Sequence, residues 1–372
     1  MKKNIGIITP PLGKAAVLPF SNLINIISPV SKKLYIVTGN HGYDFIKNSK
    51  SIYVNGIHFQ SGKNCISRVI KHVYLQLWIA SRVAKLSKNV DIWILYFTYS
   101  LILPIIVAKI YRKKVFQIIT GSTKKIIIIK KDYLGLILIA IFPITAFFLD
   151  YIIIYSQNIL KDFGLEKYQK KIIIAPRHVV DRDEFYIVKQ LNQRTYDLGY
   201  IGRFSEEKGV LNFLIALKKI LQYKPNIKIL IIGEGMLKVK IQNFIDSNNL
   251  ITNVEMDNWV THDRLPHLLN DIKIIVIPST TEGLPNIMLE AMACGTLILA
   301  TPVGSIPDII QDLETGFIME NNEPNIIEKN VIRALNYPDP TTILYNAHQH
   351  VTREFSLQKG TERYEKIFSK CH

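Results

Sequence analysis

The chain has 372 residues, of which 48% are hydrophobic and 20% charged, enough to bury the cores of two globular domains and too apolar for a disordered chain. Its three cysteines, Cys65, Cys294 and Cys371, lie far apart without CxxC or Cys/His spacing, which argues against a disulfide framework or a zinc site. The formal net charge of +16 is uneven: residues 1–180 hold 26 Lys+Arg against 6 Asp+Glu, and the remainder hold 20 against 24. A basic half points to an anionic partner; zinc-finger, helix-turn-helix and ribonucleoprotein-type motifs are missing, so an anionic membrane surface is expected rather than nucleic acid.

The start, "MKKNIGIITP", lacks a signal-peptide core and reads as a first strand over 4–8. It runs into "TPPLGK", where Gly13 is the only glycine. A second strand over 34–38 leads to "TGNHGYD", a loop that carries His41. Further strands are predicted at 91–97 and 115–119, the latter followed by Thr120, Gly121 and Ser122. "KKIIIIKK" at 124–131 reads either as an edge touching a membrane or as a buried strand with wet ends. Residues 133–155 carry Asp150 as their only charge, long enough on paper to span a bilayer, yet Pro143 divides them. A helix over 133–149 lying at a membrane interface is expected, with a buried helix or a true span as the other readings. Strands at 151–155 and 171–175 close this half.

Residues 176–194 are polar and non-periodic and read as a domain connection. Strands then recur at 196–201, 227–232, 252–256, 273–278, 296–300 and 315–319. Continuous Ile/Val/Leu runs alternating with helical patterns predict strands buried on both faces, hence α/β with two doubly wound parallel sheets. The expected organisation is a first domain over 1–180, a second over 195–350, and a helix within 351–372 that packs back on the first.

The chemistry concentrates in "STTEGLPNIMLEAMACG", residues 279–295. A strand delivers the chain to Ser279, Pro285 suits the first helical position, and Gly295 suits the left-handed residue after the last. Free amide groups at such a helix start, at the carboxyl end of a parallel strand, favour an anion such as phosphate. Glu282 precedes that start and Glu290 lies inside the helix; eight residues of helix span roughly 12 Å. Two carboxylates so placed can hold paired hydroxyls at either end of a ligand whose middle is phosphate, which describes a nucleotide sugar. In "YIGRFSEEKGVLNF" a strand ends at Gly202, a helix is expected from about Glu207, and Arg203 and Lys208 could both reach one diphosphate. Cations there would act most strongly as a nucleoside diphosphate leaves. "DRD" at 181–183 sits in the connection and reads as structural, and "GEG" at 233–235 is an incomplete dinucleotide fingerprint.

"GRFSEEKG", "IIGEGMLKVKI", "PSTTEGLPNIMLEAMACG" and "ATPVGSIPDII", in this order, resemble the retaining glycosyltransferases of family 4, which have the GT-B fold with two Rossmann-like domains facing a central cleft. The match covers 196–320 well and weakens over the first half. The resemblance implies that Gly202, Arg203 and Lys208 border the diphosphate, that Glu290 binds ribose hydroxyls, and that Glu282 contacts the donor sugar. Gly283, Leu284, Pro285 and Asn286 would offer backbone groups to sugar and phosphate, Val260 would line the base pocket, and Gly13 would stand in a thinned glycine loop. Arg203, Lys208 and Glu282 are the expected catalytic set. Relatives often carry histidine where this chain has Thr120, so Thr120, Gly121 and Ser122, with His41, are the candidates on the acceptor side.

These readings together lead to a retaining, metal-independent hexosyltransferase-like enzyme with no cofactor beyond its nucleotide-sugar co-substrate. Its expected acceptor is lipid-linked or a membrane-associated glycan precursor, and its expected place is the cytoplasmic face of the cell membrane. The competing readings are a catalytically idle membrane-associated module and a nucleotide-sugar epimerase or phosphorylase.

Overall fold

The computed structural model describes residues 2–98, 100–120 and 140–370. The chain forms two compact units, Met1–His178 with Leu357–His372, and Val179–Ser356.

The first unit is built on a seven-stranded sheet: β1 (Lys3–Leu12), β2 (Ser31–Asn40), β3 (Ile52–Ile57), β4 (Ile92–Tyr96), β5 (Lys114–Ile118), β6 (Tyr151–Ile154) and β7 (Ile172–Ile174). The strands run in the order β3-β2-β1-β4-β5-β6-β7, all parallel. Ile5, Ile7, Ile92, Trp93, Ile94 and Ile152 to Ile154 are fully buried, as helix-covered parallel strands require. The six strands read from the sequence are all present. β3 was not anticipated: "IYVNGI" is half-buried, lies at the sheet edge, and contains Asn55-Gly56, which reads as a turn. Gly56 is needed there because the Tyr43 ring lies where a Cβ would be.

The second unit carries a six-stranded parallel sheet: β8 (Tyr196–Ile201), β9 (Ile229–Ile232), β10 (Val254–Asp257), β11 (Ile272–Ile277), β12 (Leu297–Ala300) and β13 (Phe317–Ile318). Its order is β10-β9-β8-β11-β12-β13, so the direction of winding reverses between β8 and β11. Ligands of such sheets bind beyond the carboxyl ends of the strands at that reversal. Arg194 is buried at the opposite end and donates to the carbonyls of Lys189, Leu269, Ile272 and Cys294 and to Thr296 Oγ1. Burial lowers its pKa to about 10, which still leaves it charged at neutral pH.

The stretch 351–372 is not one helix. Thr341–Glu354 ends in the second unit, and a separate helix, Leu357–Ser369, belongs to the first. That last helix packs on the helix Val17–Val30, buries Tyr364 and Phe368, and sends the Tyr364 hydroxyl to the Ala175 carbonyl at 3.3 Å and Arg363 to the Pro176 carbonyl at 2.7 Å. Of the expected interfacial helix over 133–149, Phe142–Phe148 is helical, with Ile144 and Phe147 exposed; 133–139 and the whole of 124–131 lie outside the described residues.

Candidate active site

At the end of β8 the chain turns through Arg203, Phe204 and Ser205, makes a short 3-10 turn over Glu206–Lys208, and enters the helix Val210–Tyr223 through Gly209. The helix thus starts three residues later than the sequence suggests, because Gly209 takes a left-handed conformation (φ +69°). A Cβ at Gly209 would also strike the Pro278 carbonyl oxygen, so only glycine fits. Phe204 is fully buried and anchors the turn: its N–H donates to the Glu234 carbonyl at 2.8 Å and its carbonyl accepts from Leu237 N–H at 3.1 Å. This gives "GEG" its role. Side chains at Gly233 and Gly235 would collide with the backbone of Gly202 and Phe204, so the glycines serve packing between the turns after β8 and β9.

At the end of β11, Pro278 to Pro285 lead into the helix Asn286–Ala293, with Pro285 as its N-cap in extended conformation rather than its first residue. Gly295 is left-handed after the helix, as its position in the sequence suggested (φ +65°). The loop after β12 braces this turn. Thr301 Oγ1 donates to the Ser279 carbonyl at 2.5 Å, Ser305 N–H donates to the Gly283 carbonyl at 2.8 Å, and left-handed Gly304 lies against the Glu282 carbonyl.

The turns after β8 and β11 meet. Thr280 N–H donates to the Glu207 carbonyl at 2.8 Å, and Lys208 Nζ pairs with Glu282 Oε1 at 2.5 Å. The same carboxylate oxygen accepts from Ser279 Oγ at 2.7 Å. Both members of the pair are largely removed from solvent. Arg203 Nη2 lies 3.1 Å from Glu207 Oε1, half its side chain exposed. Burial opposes the Glu207 charge, but local hydrogen bonds and the adjoining Arg203 and Lys208 charges outweigh it and hold the carboxyl below its usual range. Arg203, Glu207, Lys208, Ser279, Thr280 and Glu282 therefore form one connected set at the reversal point of the sheet.

Glu290 is buried in the fifth position of its helix and pairs with a residue that sequence reasoning missed: His262 Nε2 lies 3.1 Å from Glu290 Oε1. His262 sits on a short turn, His262–Arg264, after β10, its ring edge-on to Phe185 at 5.1 Å. The hydrogen bond to Glu290 raises its pKa against the effect of burial. Its signal in the sequence was faint: a histidine two residues past Val260, in a loop already marked for the base pocket. Val260 itself is half-buried and Trp259 is exposed. Cys294 is fully buried, and burial pushes its thiol up to about 12. Asp181 of "DRD" accepts from Asp183 N–H at 2.9 Å, closing its own turn.

Gly13, the one donor-side candidate outside the second unit, follows β1 with open space where a Cβ would be. The acceptor-side candidates also lie in the first unit: exposed His41 begins a short helix after β2, and half-buried Thr120 follows β5. Gly121 and Ser122 lie outside the described residues.

Residues 181–350 match the family model of glycosyl transferases group 1. An uncharacterized glycosyltransferase of Methanocaldococcus jannaschii is 28% identical over 178 residues, 48% of this chain and 49% of that protein. The capsular polysaccharide biosynthesis glycosyltransferase CapM of Staphylococcus aureus is 27% identical over 185 residues, 49% of this chain and 47% of its own. The chain spans about half the length of the curated relatives it matches. The crystal structure of HepE from Anabaena in complex with UDP superposes with a TM-score of 0.79 at 16% identity, across 99% of this chain and 100% of that one. Two parallel-sheet α/β units and this likeness give the chain the GT-B fold.

Proposed function

We propose that the chain is a retaining glycosyltransferase of the family-4 type, which moves a sugar from a uridine diphosphate sugar to an acceptor hydroxyl. The observation that carries this reading is the Lys208–Glu282 pair, held with Ser279 beside the start of the helix Asn286–Ala293. An anionic diphosphate arriving at that helix start would be met by free amide groups and the positive end of the helix dipole. Lys208 can then exchange its carboxylate for the diphosphate, and Glu282, released, can accept hydroxyls of the donor sugar. Half-exposed Arg203 has donors left for the same phosphates. Glu290, paired with His262, would accept ribose hydroxyls. HepE was crystallised with UDP, which supports uridine as the base.

In the transfer step the bond from the anomeric carbon to the diphosphate oxygen breaks, and its electron pair stays on the diphosphate. The acceptor oxygen bonds to the same face of the anomeric carbon, and its proton passes to the departing phosphate oxygen. Lys208 and Arg203 lower the barrier because the charge they face grows during this step. No protein nucleophile and no metal enter the scheme. The acceptor is a lipid-linked or membrane-held glycan precursor on the cytoplasmic side. The charge of the first half supports this, as does the capsular role in the name of CapM.

The test is a panel of nucleoside diphosphates and nucleotide sugars. UDP at a hundredfold excess over its Kd should stabilise the fold by about 2.7 kcal/mol, with GDP well behind. UDP-sugar turnover should fall by two to three orders of magnitude in Lys208→Met, roughly the effect of one lost transition-state donor. If UDP protects but no nucleotide sugar turns over, the chain is a binding module; if Lys208→Met turns over normally, the site is assigned wrongly.

A further inference from the structure

The helix Cys65–Leu86 buries Leu75, Ile79, Ala80 and Val83 in the first unit. On its opposite side Ile66, Val69, Ile70, Val73, Tyr74 and Leu77 recur at helical spacing, and all are 43–74% exposed. The stripe runs for about 17 Å along the axis. Single exposed apolar residues are ordinary, whereas six along one face mark an interaction surface. The helix start is well made, with Asn64 and Ser67 forming a capping box, so the stripe is not the product of a frayed end.

The surrounding charge selects the partner. From Phe45 to Val90 the chain has eight Lys/Arg and no Asp/Glu. Lys63, Lys85 and Lys88, before and beyond the stripe, are exposed. Two copies meeting through this face would bring like charges together, whereas an anionic lipid surface complements it. Among the described residues no helix is long and apolar enough to cross a membrane. A helix with an apolar face, basic flanks and no acid fits the interface plane instead.

We propose that the helix Cys65–Leu86 lies flat on an anionic phospholipid surface, its exposed stripe seated at the boundary of headgroups and acyl chains and its lysines among the phosphates. The inference names the surface behind a membrane-held acceptor and rests on that reading for its purpose, while lipid binding itself needs no turnover. The full chain should sediment with vesicles of phosphatidylcholine and phosphatidylglycerol at least about tenfold better than with phosphatidylcholine alone, at about 1 kcal/mol per lysine near the surface. Added salt should weaken the difference. Ile70→Ser with Leu77→Ser should reduce partitioning by about tenfold or more, and Lys85→Glu with Lys88→Glu should reduce it comparably. Both pairs should melt with the wild type and keep the same response to UDP, which separates lost lipid binding from unfolding and from an error in the donor site. The proposal is overturned if wild type ignores phosphatidylglycerol, if either pair partitions normally, or if the Ser pair dissolves a wild-type dimer in sedimentation, which would assign the face to a second copy.

Discussion

Both sheets reverse their winding next to their first strand, β1 beside β4 in one unit and β8 beside β11 in the other, yet the loops at the two reversals are furnished differently. In the second unit left-handed glycines 209 and 304 bring backbone against backbone, and a buried ion pair spans the junction. In the first, Gly13 has open space around it, Thr9 and Thr38 share a buried hydroxyl contact at 2.7 Å, and Phe97 holds a positive φ of 58°. One topology thus supports one crevice pinned by close backbone approach and another shaped by side chains. What is specified lies in the loops, not in the winding.

Glycine substitution should expose this contrast most strongly. Gly209→Ala combines a strained φ with a collision against Pro278 and should destabilise the second unit by about 3 kcal/mol or more in denaturant titration. Gly13→Ala should stay within about 0.5 kcal/mol. Equal responses would erase the distinction. Arg194→Met comes next: five acceptors lose a charged donor, and a loss of about 3 kcal/mol is expected, with no change in UDP affinity beyond that due to unfolding.

The junction pair sharpens the comparison by separating stability from chemistry. Lys208→Met leaves Glu282 charged and mostly buried and should destabilise by about 2–3 kcal/mol, whereas Lys208→Met with Glu282→Gln should recover most of that while turnover stays lost. Recovery of turnover in the double variant would mean that the pair is structural only. The smallest effect concerns His262. Its folded pKa is raised above about 6.5, so its pairing with Glu290 contributes fully below pH 6.5 and fades as pH rises through the higher folded value. Because the ring is partly exposed, the contribution should not exceed about 1 kcal/mol. Melting curves of wild type and His262→Gln should therefore diverge at low pH and converge at high pH; the opposite trend would refute the assignment.

The second unit was the more legible because its strands are uninterrupted apolar runs and its turns carry glycine, proline and charge at short range. Arg203, Lys208, Glu282 and Glu290 could be singled out for that reason. Their partners could not. Ser279 is near Glu282 in sequence, but Glu207 reaches Thr280 and His262 reaches Glu290 only through the packing of separate loops. β3 escaped because an edge strand needs no continuous apolar run, and the Lys208 turn was read as an early helix because nothing in "SEEKG" shows that Pro278 blocks a side chain at position 209. The exposed stripe on Cys65–Leu86 was hidden by its own regularity: an amphipathic pattern does not say which side faces the core.

The return of Leu357–Ser369 to the first unit makes the second an insertion within the first. During synthesis the ribosome therefore releases every residue of the inserted unit before the last helix of its host. The inserted unit can fold while its host still lacks Tyr364 and Phe368 and holds an unfilled seat beside Val17–Val30. Maturation of the host unit must therefore wait until Leu357–Ser369 has been made, and a premature stop near codon 356 would spare the inserted unit while stranding its host.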